Sequence, residues 1–432
     1  MALFVVRGGR RLEGEHRVQG AKNSALPVLA AAAAVRGQCV IRNCPDLSDV
    51  KATLHILKHL GCKVAREGEI VTVDSTARSG CAIPRRLMRE MRSSIVFLGP
   101  LLAALGCAEL SAPGGCEIGL RPIDLHLEGL RALGVEIAED GECLTCRVPA
   151  GGMRGARFSL SFPSVGATEN LMIAACVAKG VTVINNAARE PEIVDLAAFL
   201  NACGAKIHGA GEGVILVEGV KGLHGAEHTV IPDRITAVTF LASAAVTGGE
   251  VLLRRAAPGH MDATLTMLEQ TGCRLRRERG DTLHLKAPAR LRQLSTVRTM
   301  PYPGFPTDAQ AVFMSMAAVA EGTSIFSETI FENRFRHVAE LTRMGAKIRV
   351  EGRVAVTEGA VRLHGAKVNA CDLRAGAALV VAALCAEGTS VINQVHHIDR
   401  GCERFEENLR LLGANMIREG NNATDKNGQE GS

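Results

Sequence analysis

The sequence contains very few aromatic residues. Of its 432 residues 3% are aromatic, with no tryptophan and one tyrosine. Proteins that bind single-stranded nucleic acid use aromatic side chains as platforms on which bases stack. The formal net charge of +5 is also small, whereas a polyanion is held by many contacts to its phosphates. Both shortages argue against a nucleic-acid partner and favour small anionic ligands.

Long apolar runs are missing as well. The longest, near residues 25–35, is about half the ~20 residues that a membrane-spanning helix needs. At the start of the chain an apolar stretch precedes the basic residues, which is the reverse of a secretory signal peptide. The fourteen cysteines have no disulfide-like spacing, and cysteines within apolar segments are typical of a reducing compartment. We therefore expect a globular, cytoplasmic protein without a membrane partner.

What the sequence does contain is a sixfold repeat. An apolar segment, a glycine and a short β-branched segment recur at intervals of 66 to 74 residues. The repeated glycines are Gly37, Gly106, Gly180, Gly248, Gly322 and Gly388, and each is followed by a second one at Gly61, Gly134, Gly204, Gly272, Gly345 and Gly413. Self-similarity at a fixed period indicates the architecture. Each copy is predicted as a helix, a strand, a second helix and a hairpin, with glycines such as Gly180 in the left-handed position that ends helices.

Three copies in each half predict two similar α/β domains. The pattern predicts the boundary between the two domains at residues 229–233. The final residues 421–432 are polar and without periodicity, and we expect them to be disordered.

The starts of the six repeat helices combine capping residues with cations. Serine, threonine and aspartate are ordinary N-caps, and capping alone explains their presence at these starts. Capping does not explain Lys22, Arg92 or Arg374, because a cation at a helix N-terminus opposes the helix dipole. If the helices of each domain run parallel, their positive ends and these cations face one space that suits phosphate and carboxylate groups.

The second copy differs from the others by the segment Ala-Pro-Gly-Gly-Cys at 112–116. Its Pro-Gly-Gly composition is typical of a lid that opens and closes. Cys116 lies five residues before Arg121, and a nearby guanidinium favours the reactive thiolate. The alternative, that Cys116 is one more unreactive cysteine among the fourteen, stays open on the residues alone.

Other polar patterns have structural explanations. Cys143 and Cys146 lie in an alternating segment without partners at zinc spacing, so a strand is predicted rather than a metal site. The segment 274–279 alternates too and predicts the solvated face of a hairpin. For His396 and His397, positioning or packing is favoured over metal ligation.

Six segments, in this order, resemble the family of UDP-N-acetylglucosamine enolpyruvyl transferases. They are GAKNSALP (20–27), PGGCEIGLRP (113–122), FPSVGAT (162–168), FPTDAQ (305–310), FENRF (331–335) and HIDRG (397–401). The resemblance implies an inside-out α/β barrel of two domains with three repeats each, helices inside and sheets outside. It implies one domain of residues 22–230 and another of 1–21 plus 231–432, with the active site in the cleft between them.

The resemblance also implies the reaction. The enolpyruvyl group of phosphoenolpyruvate would be transferred to the 3′-hydroxyl of UDP-N-acetylglucosamine by addition and elimination, with release of phosphate. This would be the first committed step of peptidoglycan synthesis. These two small molecules are the implied partners, no cofactor and no metal are implied, and the oligomeric state is not indicated.

Residue roles follow from the same resemblance. Cys116 would donate a proton and form a covalent adduct, and Asp308 would be the general base. Lys22, Arg121 and Arg400 would surround the phosphate and the carboxylate. The other implied substrate-binding positions are Asn23, Arg92, Pro122, Ile123, Asp124, Leu125, Ser164, Val165, Gly166, Ile330, Arg334, Asp372 and Arg374.

Two other functions remain open at this point. A 5-enolpyruvylshikimate-3-phosphate synthase shares the fold and the donor, but that family has a Lys-Ser pattern followed by an arginine where this chain has Lys22-Asn23, and it lacks a reactive cysteine loop. A repeat-built protein that binds RNA ends is the second alternative, against which the few aromatics and the weak charge argue.

Overall fold

The fold follows the sixfold repeat. The structure is a computed structural model, and it describes residues 2–111, 123–141, 143–360 and 362–420. All twelve repeat glycines have positive φ angles, between 65° and 130°. A side chain would be strained in this conformation, which explains why glycine recurs with the period of the structure.

Thirteen α-helices lie in the described residues. They are α1 (Lys22–Ala32), α2 (Ser48–His59), α3 (Arg85–Glu90), α4 (Leu98–Leu105), α5 (Asp124–Ala132), α6 (Val165–Ala175), α7 (Pro191–Ala202), α8 (Arg234–Val246), α9 (Asp262–Gln270), α10 (Thr307–Val319), α11 (Val338–Arg343), α12 (Leu373–Cys385) and α13 (Phe405–Leu411). Three 3-10 helices accompany them, at Arg92–Phe97, Pro258–His260 and Val395–Arg400.

Twenty-four strands in the described residues complete the repeats. They are β1 (Leu3–Arg7), β2 (Glu13–Arg17), β3 (Gln38–Arg42), β4 (Lys63–Glu67), β5 (Ile70–Asp74), β6 (Ala82–Ile83), β7 (Cys107–Ser111), β8 (Glu136–Asp140), β9 (Cys143–Arg147), β10 (Arg157–Ser159), β11 (Val181–Asn185), β12 (Lys206–His208), β13 (Val214–Glu218), β14 (Glu227–Thr229), β15 (Glu250–Arg254), β16 (Arg274–Arg277), β17 (Leu283–Lys286), β18 (Thr296–Arg298), β19 (Thr323–Ser327), β20 (Lys347–Glu351), β21 (Val354–Glu358), β22 (Lys367–Asn369), β23 (Thr389–Asn393) and β24 (Asn415–Glu419).

These strands form six four-stranded sheets of one topology. The orders are β14-β3-β5-β4, β6-β7-β9-β8, β10-β11-β13-β12, β2-β15-β17-β16, β18-β19-β21-β20 and β22-β23-β1-β24. In each sheet the first pair is parallel and the following two pairs are antiparallel. The parallel edge strand comes from another part of the chain than the hairpin, so each sheet links neighbouring repeats.

Pairings between distant parts of the chain complete three of the sheets. Strand β14 returns to pair with β3, where Thr229 lies opposite Arg42. At the start of the chain, β1 pairs with β23 and β24, and β2 pairs with β15. The opening residues therefore belong structurally with the second half of the chain.

The first helix of the repeats is buried on every side. In α10 all residues from Ala309 to Ala318 are buried, and in α12 all from Leu373 to Leu384. A helix that is apolar all round needs a core position, whereas strands such as β13 alternate between exposed and buried residues. Helices therefore lie inside and sheets outside, as predicted.

Two separate hydrophobic cores result from this arrangement. One contains residues from Ala21 to Val230, and the other joins residues from Phe4 to Val18 with those from Ala237 to Met416. We propose the domains expected from the sequence, 22–230 and 1–21 plus 231–432, and the two cores support this division. Of the helices in the described ranges, none has the length and apolarity needed to cross a membrane.

One local prediction is wrong. Gly180 was expected to end the helix before it, but α6 ends at Ala175 and a turn follows. The Lys179 amide donates to Met153 O at 2.9 Å, so the chain has left the helix to pair with a neighbouring segment. The positive φ of Gly180 serves the entry into β11 instead.

Candidate active site

The starts of the buried helices meet between the two cores. Lys22 is the first residue of α1, and its backbone nitrogen lies 3.2 Å from an oxygen of Asp233. Asp233 caps α8 by accepting hydrogen bonds from Ile235 N and Thr236 N at 2.9 Å. One carboxylate thus joins the N-termini of two helices that belong to different cores.

Asp49 holds two cations from opposite sides of this junction, and we call Lys22, Asp49 and Arg400 the Asp49 cluster. Lys22 Nζ lies 3.5 Å from Asp49 Oδ2. Arg400 donates from Nε to Oδ1 at 2.9 Å and from Nη2 to Oδ2 at 3.4 Å. The Asp49 side chain is 3% exposed and that of Arg400 is 36% exposed, so the carboxylate is buried while the guanidinium still reaches solvent.

Asp308 holds a second pair of cations, and we call Asp308, Arg334 and Arg374 the Asp308 cluster. Arg334 Nη2 donates to Oδ1 at 2.8 Å and Arg374 Nη2 to Oδ2 at 2.7 Å. The two arginine side chains are 3% and 8% exposed, and that of Asp308 is 27% exposed. The carboxylate is therefore the most accessible member of its own cluster.

The electric fields of the two clusters overlap. Burial lowers the pKa of Lys22, Asp49 raises it, and both Arg374 and Arg400 lower it. Burial alone would raise the pKa of Asp308, but Arg374, Arg334 and Lys22 outweigh burial and hold it well below its usual range. Four cations and two carboxylates thus share one region, which favours binding of a small molecule with several negative charges.

A third group of charged residues lies nearby and connects the two cores. Arg234, at the start of α8, donates to both oxygens of Glu192 at 3.0 and 3.3 Å. Its guanidinium lies 5.5 Å from the centre of the Tyr302 ring. Burial raises the pKa of Glu169 well above the usual value, and Glu192 and Glu190 raise it further. Carboxylates in this region are therefore either paired or forced toward the neutral form.

The predicted residues at the starts of α5 and α6 lie side by side. Ser164 caps α6 by accepting from Ala167 N at 3.4 Å. A Cβ atom on Gly166 would lie 3.2 Å from Cε1 of His126, which is in the first turn of α5. His126 is itself bonded to Asn170 at 2.8 Å, and burial lowers its pKa to about 4. This packing brings the predicted set Ile123, Asp124 and Leu125 next to Ser164, Val165 and Gly166.

Asp372 and Arg374 do not form a side-chain pair. Asp372 caps α12 by accepting from Arg374 N at 2.8 Å and Ala375 N at 3.0 Å. The guanidinium of Arg374 extends instead to Asp308. Asn23, the second residue of α1, is half-buried beside Lys22.

Two expectations about helix starts are corrected by the structure. Neither Thr307 nor Asp308 caps α10, because Pro306 occupies the N-cap position without a side-chain bond. The Thr307 hydroxyl donates to Glu328 at 3.0 Å, and the Asp308 carboxylate forms ion pairs with two arginines. In the second copy, the start at Arg92 is a 3-10 helix that runs to Phe97 before α4 begins.

Several predicted positions lie outside the described residues. They are Cys116, Arg121 and Pro122, together with the side chain of Arg92 and the final segment 421–432. Their assigned roles stay predictions.

Sequence reasoning missed two carboxylates of the site. Asp49 and Glu192 lie in the first turns of α2 and α7, the second helices of their repeats. The pattern of cations at helix starts concerns only the first helix of each repeat, so it does not include these carboxylates. The available signal was the same one used elsewhere, an acidic residue at a predicted helix start.

Two of the other patterns form the predicted strands. Cys143–Arg147 is strand β9, and Arg274–Arg277 forms a hairpin with Leu283–Lys286. Over the described ranges, no three histidine, cysteine, aspartate or glutamate residues are grouped in a way that could hold a metal ion. His396 and His397 lie in the 3-10 helix that leads to Arg400.

Comparisons with known proteins agree on one family. The family model of EPSP synthase (3-phosphoshikimate 1-carboxyvinyltransferase) matches residues 6–409. The chain is 51% identical over 418 residues to UDP-N-acetylglucosamine 1-carboxyvinyltransferase 2 of Caldanaerobacter subterraneus subsp. tengcongensis, covering 97% of this chain and 100% of the relative. It is 51% identical over 420 residues to UDP-N-acetylglucosamine 1-carboxyvinyltransferase 1 of Symbiobacterium thermophilum, covering 96% and 95%.

Solved structures support the fold. The enolpyruvyl transferase NikO from Streptomyces tendae superposes with a TM-score of 0.88 at 26% identity, over 96% of this chain and 98% of the other. EPSP synthase from Acinetobacter baumannii superposes with a TM-score of 0.76 at 19% identity, over 97% and 100%. The predicted enolpyruvyl transferase fold is thereby confirmed.

Proposed function

The chain belongs to the EPSP synthase family of carboxyvinyltransferases, and from this membership we propose its acceptor, its reaction and the residues that perform it. It transfers the enolpyruvyl group of phosphoenolpyruvate to the 3′-hydroxyl of UDP-N-acetylglucosamine and releases phosphate. The product enters peptidoglycan synthesis, of which this is the first committed step. Addition precedes elimination, so a tetrahedral intermediate carries both the sugar oxygen and the phosphate.

One observation carries the choice of acceptor. Three relatives named as UDP-N-acetylglucosamine 1-carboxyvinyltransferases are 50–51% identical to this chain over 96–97% of its length. The match to EPSP synthase structures, at 18–19% identity, concerns the fold alone. A shikimate-derived acceptor is therefore not favoured, and neither is a role in binding RNA ends.

The Asp49 cluster is our candidate for the donor site. Phosphoenolpyruvate carries a phosphate and a carboxylate, and Arg400 presents a planar fork that binds either group with two hydrogen bonds. Lys22 adds a compact charge whose pKa is lowered by burial, and a bound anion would favour its charged form. Asp49 holds both cations in place until the donor arrives. Arg121, by resemblance, completes this set.

Asp308 is our candidate general base for the sugar hydroxyl. Its carboxylate is ionised at neutral pH because two arginines hold its pKa low, which also makes it a weak base. A weak base suffices late in the addition step, because a hydroxyl becomes strongly acidic as its oxygen bonds to C2 of the donor. The arginines at the same time hold the carboxylate in one orientation, which proton transfer requires.

Cys116 is our candidate general acid. In the addition step the C3 methylene gains a proton as the sugar oxygen attacks C2. In the elimination step C3 loses a proton, phosphate leaves, and the double bond forms again. Alternatively, once the thiol has given its proton to C3, the resulting thiolate can attack C2 in place of the sugar oxygen, so that the double bond is lost and the donor is held as a covalent adduct.

We propose the remaining properties from the same family membership. The nucleotide sugar contacts the starts of α5 and α6 and the backbone near Ile330. Both partners are small molecules, with no nucleic acid and no membrane among them, and the protein acts in the cytoplasm.

A phosphate-release assay tests this function. The protein is supplied with phosphoenolpyruvate and either UDP-N-acetylglucosamine or shikimate 3-phosphate. We expect phosphate and an enolpyruvyl nucleotide sugar with the first acceptor and no release with the second. Turnover with shikimate 3-phosphate alone would contradict the proposal.

Alkylation by an epoxide such as fosfomycin tests the role of Cys116. Cys143 is the matched competitor, since it is exposed on β9 while most of the other described cysteines are buried. We expect peptide mass mapping to find the adduct on Cys116, formed faster when UDP-N-acetylglucosamine is bound. An adduct on Cys143 instead would remove the assigned reactivity.

A further inference from the structure

Glu328 is a buried carboxylate directly after strand β19. The residue is 1% exposed. Its Oε1 accepts hydrogen bonds from the Thr299 hydroxyl at 3.0 Å, from Ile330 N at 2.8 Å and from Phe331 N at 3.1 Å. Its Oε2 accepts from the Thr307 hydroxyl at 3.0 Å. A buried carboxylate with four hydrogen-bond donors is strongly held, because leaving any of these buried donors without an acceptor is unfavourable.

These donors flank the two members of one ion pair. Thr307 begins α10 and immediately precedes Asp308. Ile330 and Phe331 immediately precede the turn at 332–337, which contains Arg334. Arg334 Nη2 in turn contacts Thr307 O at 3.2 Å as well as Asp308 Oδ1 at 2.8 Å. One carboxylate therefore fixes the backbone on both sides of the contact between Asp308 and Arg334.

We propose that Glu328 is a positioning residue for the acceptor site, one that sets the place of Asp308 by holding Thr307 and the turn before Arg334. This inference rests on the proposed function, in which Asp308 faces the sugar hydroxyl. Glu328 touches no reacting atom itself and acts through Asp308. Displacements of about 1 Å at a reacting group cost about 10²-fold in rate, so a fixed backbone at this point matters for turnover as well as for binding.

The hydrogen-bond pattern predicts which substitution is tolerated. In Glu328→Gln the amide oxygen still accepts the three bonds of Oε1, and the amide nitrogen can donate to the Thr307 hydroxyl. In Glu328→Ala two backbone N–H groups and two hydroxyls lose their acceptor, which is unfavourable for buried donors. A comparison of the two variants therefore distinguishes the effect of the hydrogen bonds from the effect of the negative charge.

The test is a double-mutant cycle read by calorimetric binding of UDP-N-acetylglucosamine. We expect Glu328→Ala to weaken binding about tenfold in the native background and by less than about twofold when Asp308 is already alanine, because coupled residues are non-additive. Glu328→Gln is expected to bind like the native protein. Glu321→Gln is the matched control. Glu321 lies just after α10, is exposed and pairs with the exposed Arg290.

The outcomes are distinct. Equal weakening in both backgrounds would mean that Glu328 acts by general support of the fold, and would overturn the inference. A loss for Glu328→Gln as large as that for alanine would also overturn it, since the charge and not the bonds would then act. If circular dichroism shows Glu328→Ala to be unfolded, Thr307→Val enters the same cycle. Absence of UDP-N-acetylglucosamine binding and turnover by the native protein would instead refute the proposed function itself.

Discussion

The Asp49 and Asp308 clusters are built alike but placed differently. Each is a carboxylate between two cations. Asp49 joins Lys22 of the first core to Arg400 of the second, whereas Asp308 and its two arginines all belong to the second half of the chain. Any movement of the two halves relative to each other must therefore break or rebuild the contact between Asp49 and Arg400, while the Asp308 cluster moves as a unit.

The difference indicates how binding and chemistry are divided. In the proposed donor site, cations of the two proposed domains meet only when the domains are close, which would link donor binding to domain approach. Asp308, the proposed base, is paired with two arginines of its own half of the chain, so its orientation does not depend on the position of the other half. The comparison therefore predicts that changes at Asp308 affect turnover and that changes at Asp49 affect donor binding.

The largest effect is expected from Asp308→Asn. Asparagine keeps the hydrogen-bonding shape but cannot take the sugar proton, so kcat should fall by about 10²–10⁴-fold. Steady-state phosphate release measures this change, and KM for phosphoenolpyruvate should stay close to the native value. The control is Asp262→Asn, which removes an exposed carboxylate at the start of α9. A native kcat in Asp308→Asn would exclude the base role.

A smaller effect is expected from Asp49→Asn. The amide holds Lys22 and Arg400 more weakly than the carboxylate, so KM for phosphoenolpyruvate should rise about tenfold with a lesser change in kcat. Asp46→Asn is the matched control, because that carboxylate lies just before α2, is exposed and pairs with Lys51. If kcat fell and KM did not change, the division between the two clusters would be wrong.

The smallest effect is expected at Glu169, a buried carboxylate whose pKa is shifted by two neighbouring carboxylates. Glu169 has a pKa raised above its usual 4.5 by burial and by Glu192 and Glu190. The folded state thus keeps a proton that the unfolded state loses, so the free energy of unfolding falls as pH rises from about 4.5 toward the raised pKa. Urea denaturation across this pH range should show the fall in the native protein and a flatter dependence in Glu169→Gln. Identical pH profiles would show that Glu169 is not held neutral.

Much of the fold could be predicted from the sequence because the patterns that indicate it are local. A glycine such as Gly345 is favoured where the backbone takes a positive φ, and an all-apolar segment such as 375–384 is expected to be buried. The error at Gly180 has the opposite origin, since Lys179 leaves the helix to pair with Met153 O far away in the chain. No local pattern reports such a pairing.

The candidate site was only partly readable. Cations at helix starts identified Lys22 and Arg374 as unusual, because each opposes a helix dipole. Their partners were not predicted: Asp49 lies 351 residues before Arg400, and Arg374 extends to Asp308 rather than to Asp372. Glu328 gave no signal, because a glutamate at the end of a strand reads as an ordinary surface residue.

The sequence by itself determined the sixfold repeat, the burial of one helix in each copy and the family to which the chain belongs. These follow from periodicity, from backbone conformations that require glycine, and from motifs in a fixed order. The tertiary structure alone decided which charges face each other, because pairing depends on how two cores bring distant helix starts together. The roles proposed for Asp308, Asp49 and Glu328, as base, clamp and support, depend on the neighbours of each carboxylate, and those neighbours are distant in the chain or set by the fold.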